Sequence, residues 1–151
     1  MSQIWVAVAD GRKALLFENA GSMLKPDLNV ISVDEIDNPP TRAQGADRAG
    51  RMNDGRAGGV RKSAFEAKDF HQLAEDRFAA KFAAALDKAA ANGAFDRLVV
   101  AAPPSTLGAL REAFTLRLRS KIAFEADVDL VNHPVSEIEK RLAAAYDNRR
   151  A

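Results

Sequence analysis

Ile4-Trp-Val-Ala-Val-Ala9, then Asp10-Gly11-Arg12-Lys13, then Ala14-Leu-Leu-Phe-Glu18, open the chain with two short apolar runs around a four-residue break. Asp-Gly supplies the positive φ that a tight hairpin asks for, so the two runs read as antiparallel strands. Beyond a turn over residues 21–26, Leu28, Val30, Ser32, Asp34 and Ile36 alternate with Asn29, Ile31, Val33 and Glu35. The pattern is mixed, but its β-branched residues favour a third strand, and the chain therefore begins as a three-strand meander.

Pro39-Pro40 ends that order, and nothing periodic returns until about Asp69. From there Phe70, Leu73, Ala74, Phe78, Phe82, Ala85, Leu86 and Ala89 follow the three/four rhythm of a helix burying one face, and Asn92-Gly93 provides its left-handed stop. Leu98-Val99-Val100, within 97–102, reads as a fully buried strand. Pro103-Pro104 breaks it before a helix carrying Leu107, Leu110 and Phe114. Residues 121–129 alternate as a fifth strand. His133-Pro134, a Ser136/Glu139 capping-box spacing and the stripe Ile138, Leu142, Ala145, Tyr146 give a final helix. The order βββ-α-β-α-β-α predicts one α/β domain over 1–151 with a mixed five-stranded sheet, an order shared by ribonuclease H-like folds.

The interruption is the most informative part for function. Residues 42–62 hold six basic side chains, Arg42, Arg48, Arg51, Arg56, Arg61 and Lys62, against Asp47 and Asp54, with glycines at 45, 50, 55, 58 and 59. That is a net +4 within a chain of +1, so the remaining residues carry −3 and the positive charge is localised. The expectation is a flexible basic loop over about 38–68, far longer than the usual connection of about 4–6 residues. Arginines that meet phosphates, and glycines that let backbone amides approach, suit RNA. The candidate nucleic-acid-binding residues are Arg48, Arg51, Arg56, Gly58, Gly59, Arg61 and Lys62. No aromatic lies between Pro39 and Ala64, so base stacking is not expected there; Phe65 reads as an anchor to the domain.

Composition excludes several chemistries. With no cysteine among 151 residues, disulfides, thiolate catalysis and thiolate-ligated metals are ruled out. The first residues lack a basic signal-type region, and no apolar run approaches the roughly 20 residues of a bilayer crossing, so the expectation is a cytoplasmic chain without membrane insertion.

Other constellations are weaker. Asp10 with Glu75 or Asp76 offers two or three carboxylates for a two-metal nuclease, but the strand ending Ala101-Ala102-Pro103-Pro104 brings no further acid. Asp10 reads more simply as a turn residue. His71 and Glu75 share a helix face, yet they read as a solvent-facing pair, with Phe70 and Leu73 setting the buried direction. Ser105 and Thr106 read as cap residues of the helix after Pro104, and Trp5 as core. No catalytic residue, metal or cofactor is expected. An exposed edge of the meander leaves homo-oligomerisation open.

Three stretches carry a resemblance: Trp5 through Asp10-Gly11-Arg12-Lys13 to Phe17; Asp47-Arg-Ala-Gly-Arg51 through Gly58-Gly59 to Phe78; and Leu98-Val-Val-Ala-Ala-Pro-Pro with Leu107-Gly-Ala-Leu-Arg111. Together they resemble the bacterial host-attachment protein family, which in turn is similar to the middle domain of archaeal and eukaryotic peptide-chain release factors. In that domain a Gly-Gly-Gln loop precedes a long helix and reaches the ribosomal peptidyl-transferase centre. Here Gly58-Gly59 is followed by Val60, whose isopropyl group cannot make the glutamine's hydrogen bond to a hydrolytic water. The resemblance thus implies a non-catalytic domain that engages RNA or the ribosome through the basic stretch. The alternatives are a peptidyl-tRNA hydrolase-like or metal-dependent nuclease enzyme, and a protein-interaction module acting in attachment to host cells.

Overall fold

The computed structural model describes residues 3–36 and 57–150, with the side chains of 57–69 and 150 left aside. Three strands come first: β1 (Ile4–Ala9), β2 (Lys13–Asn19) and β3 (Leu28–Glu35). They are followed by α1 (Ala57–Ala91), β4 (Arg97–Ala102) and α2 (Pro104–Ala113). A short helix α3 (Leu116–Lys121), β5 (Ile122–Asp127) and α4 (Val135–Arg150) complete the chain. The sheet order is β3-β2-β1-β4-β5. β1 pairs antiparallel with β2 and β2 with β3, whereas β1–β4 and β4–β5 are parallel. The mixed five-stranded α/β domain expected from the element order is therefore present.

Both sheet faces are covered, and each has its own core. α1, α2 and α3 pack on one face through Phe78, Phe82, Leu86, Leu107, Leu110 and Leu118, against Ala7, Leu16, Leu98 and Val100. On the other face α4 sets Ile138 and Leu142 over Val6, Val8, Phe17, Val99 and Phe124. β4 is buried from Leu98 to Ala102, as its uninterrupted apolar run requires in a parallel pair covered on both sides. Trp5 packs at the core's edge, its ring centroid 5.0 Å from that of Phe95.

Local chemistry fixes the connections. At the first hairpin the Asp10 carboxylate accepts from the amides of Arg12 (2.8 Å) and Lys13 (2.7 Å), holding the turn. Gly11 does not have positive φ, which corrects the reason expected for it; among the described residues only Gly93 does, at 72°. Gly93 ends α1 as the Asn-Gly signal indicates, with Gly93 N–H donating to Ala90 and Ala94 N–H to Ala89, both at 3.0 Å. Buried Asn19 organises the β2–β3 loop: its Oδ1 accepts from Gly21 and Asp27 (each 2.9 Å), and its Nδ2 donates to Ser22 (3.2 Å).

Four expectations change. α1 begins at Ala57 rather than Asp69, so the basic loop assigned to 38–68 gives way to helix over its last third; residues 37–56 lie outside the described ones. Phe70 (59% exposed) and Leu73 (48%) do not set the buried direction, which starts at Phe78. α3 intervenes before β5, capped by Thr115, whose side chain accepts from Leu118 N–H at 3.1 Å. The Ser136/Glu139 pair is not a capping box. α4 starts one residue earlier, at Val135, and the Glu139 carboxylate accepts instead from the Leu28 amide (2.8 Å), tying α4 to the start of β3.

The shift in the buried face is open to a direct check. Phe82→Ala removes a ring that is 5% exposed and is expected to cost about 3–5 kcal/mol in urea denaturation. Phe70→Ala is expected to stay within about 0.5 kcal/mol of the parent.

Candidate nucleic-acid interface

The proposed binding residues fall into two groups. Arg48, Arg51 and Arg56 lie outside the described residues. Gly58, Gly59, Arg61 and Lys62 occupy the first turns of α1, where only the backbone is described, so the glycine pair belongs to a helix rather than to a loop. Val60 sits in the same turn.

The position of that turn follows from how α1 is seated. Glu75, the nineteenth of its 35 residues, lies against Gly11 at the β1–β2 turn. At 1.5 Å per residue, about 27 Å of helix precedes this contact. Among the described side chains of α1, those from residue 70 on, the first buried one is Phe78, and Phe70 and Leu73 ahead of it are exposed.

Gly11 leaves room for the end of the Glu75 side chain. A β-carbon there would meet the Glu75 carboxylate, whose flexible side chain can swing aside. Around this contact a narrow notch is lined by Gly11, Gln72, Glu75, Asp76, Ser105 and Thr106, at the carboxyl ends of β1 and β4. The carboxylates suggested for a metal are otherwise engaged there: Asp10 holds the turn, and Asp76 accepts from Gln72 Nε2 at 3.1 Å. Among the described residues no group of three His, Asp or Glu side chains is disposed to hold a metal ion. His71 lies edge-on to Phe70, with ring centroids 6.5 Å apart.

Ser105 and Thr106 do not cap α2. Pro103 is its N-cap, no side chain bonds the first turn, and the Leu107 amide donates to the Pro103 carbonyl at 2.8 Å. Ser105 is exposed and Thr106 buried. A larger cleft lies elsewhere, at the outer edge of β5, lined by Arg111, Arg119 and Arg149. Its arginines come from three separate helices, so no contiguous sequence signal marked it.

Residues 3–142 match the model of bacterial archaeo-eukaryotic release factor family 12. The chain belongs to that family. No curated protein matches the family 12 chain in sequence. Among solved structures it is similar to archaeal translation termination factor aRF1, with a TM-score of 0.51 at 13% identity. That superposition covers 98% of this chain but 39% of the aRF1 chain, so the likeness concerns the fold of one part of the larger protein. The release-factor half of the sequence resemblance therefore stands at the level of family and fold.

The Gly11–Glu75 contact yields a coupled prediction. Gly11→Ala is expected to cost less than about 0.5 kcal/mol in urea denaturation, because the Glu75 side chain can move aside, and with Glu75→Ala present that cost should vanish.

Proposed function

We propose that this family 12 chain is a non-catalytic, cytoplasmic binding domain that engages RNA, in a ribosomal setting, through Arg48, Arg51, Arg56, Arg61 and Lys62 around Gly58-Gly59. The observation that carries the reading is the concentration of six basic residues over 42–62, running into the first turns of a 35-residue helix. The amino-terminal end of such a helix carries a partial positive charge that favours anions. Family membership supports a translation-related partner, and the archaeal termination factor supplies a precedent for the fold in such a protein.

Val60 after the glycine pair favours binding over hydrolysis, because a valine side chain neither donates nor accepts a hydrogen bond. Among the described residues no helix is long and apolar enough to cross a membrane. A role in host attachment would then be indirect, through a partner protein.

RNA affinity measured across salt tests the proposal. The expected result is a steep fall in affinity with rising salt, and a slope shallower by about 2 for the Arg51→Ala/Arg56→Ala/Arg61→Ala variant on single-stranded RNA, with an unchanged thermal midpoint. Unaltered RNA affinity in the variant would reject the basic stretch as the binding element. Cleavage of peptidyl-tRNA by the parent, lost on substitution of Gly59, would favour the enzyme. Absence of RNA binding would leave the attachment module.

A further inference from the structure

β5 is an outer strand of the sheet, and its free edge forms the floor of a cleft of about 420 Å³. Four consecutive β5 residues, Ile122, Ala123, Phe124 and Glu125, line it. Successive strand side chains point to opposite faces, so a cavity touching all four runs along the strand's edge rather than over one face. Among the described residues no strand pairs with that edge, which therefore presents unpaired backbone N–H and C=O groups.

Arginines flank the cleft on both sides. Arg111 and Arg119, from α2 and α3, stand on the face covered by α1. Arg149, from α4, stands on the other, its guanidinium 5.3 Å from the Phe124 ring centroid. Glu125 offsets part of the charge: its Oε1 accepts from Arg111 Nε at 2.8 Å and pairs with the same guanidinium at Nη2, 2.6 Å away. Arg119 Nη2 donates to the Arg111 carbonyl at 2.7 Å. A guanidinium has five N–H donors, so each of these arginines retains donors for a ligand, and the lining is net cationic.

We infer that this edge is a docking site for an extended acidic peptide segment of a partner protein, which adds a strand alongside β5 and sets its carboxylates against Arg111 and Arg119 on one face and Arg149 on the other. The inference is independent of the basic stretch at 42–62. Strand addition takes affinity from main-chain hydrogen bonds and specificity from side chains that alternate between two faces, and here cationic groups stand on both. RNA fits less well. Its phosphates have no use for the strand's amide-carbonyl alternation. Phe124 is buried and already covered by Arg149 and the edge-on ring of Tyr146, leaving no open aromatic face for a base. The opposite edge strand, β3, ends in the acids Asp34-Glu35, which disfavour an acidic segment.

The test is an amide-resolved NMR titration of the ¹⁵N-labelled full chain with a blocked hexapeptide alternating valine and glutamate. Parallel titrations use its valine–lysine counterpart, a version N-methylated at alternate residues, and polyuridylate. The expected result is saturable shifts of the Ile122–Asp127 amides by the glutamate peptide alone, with affinity reduced about tenfold in Arg119→Gln/Arg149→Gln. The Arg119→Glu/Arg149→Glu variant, with amide shifts elsewhere preserved, is expected to prefer the lysine peptide. The inference is overturned if the β5 amides do not respond, if the N-methylated peptide binds equally well, or if polyuridylate binds this edge more tightly than the peptide. Self-association of the unliganded chain through β5 would also overturn it.

Discussion

The parallel pairing of β1 with β4 at the centre of the sheet is the constraint on which the rest depends. Parallel neighbours cannot be joined by a hairpin, and the chain must leave the sheet and return in the same direction. Here the path from β1 to β4 takes in the β2–β3 meander and α1, and the carboxyl-terminal half of α1 is the part that lies on the sheet. Burial of Phe78, Phe82 and Leu86 against β1 and β4 fixes that half of the helix. Glu75 lies against Gly11 where the helix meets the hairpin. Whatever precedes that contact continues a helix already set by the core, and in this chain what precedes it is the basic, glycine-rich sequence.

Much of this could be read from residues alone because burial imposes periodicity. The apolar runs of β1, β2 and β4, the stop at Asn92-Gly93 and the stripe Ile138, Leu142, Ala145 and Tyr146 all reflect one face, or both, removed from water. The start of α1 could not be read this way. The sequence of its first turns shows no sustained three/four apolar stripe, and Gly58-Gly59 lowers their intrinsic helix propensity. Phe70 and Leu73 misled in the opposite sense, because they keep the three/four rhythm and yet are exposed.

Glu139 and the β5 cleft show a different limit. Glu139 has the spacing of a local cap, yet it bonds an amide 111 residues away. Arg111, Arg119, Glu125 and Arg149 acquire meaning only when α2, α3, β5 and α4 are assembled around one edge. Short-range pattern reports on local periodicity and turn chemistry; it does not report on which distant side chains a topology gathers.

Two cationic features thus sit on one scaffold, one at the head of α1 and one along β5. The central claim concerns the first. Rates of chemical modification of individual arginines, followed by mass spectrometry with and without saturating RNA, test it most directly. The account predicts that RNA slows modification of Arg48, Arg51, Arg56 and Arg61 and leaves Arg111 and Arg119 unaffected. Unchanged rates at the first four, with RNA demonstrably bound, would contradict it.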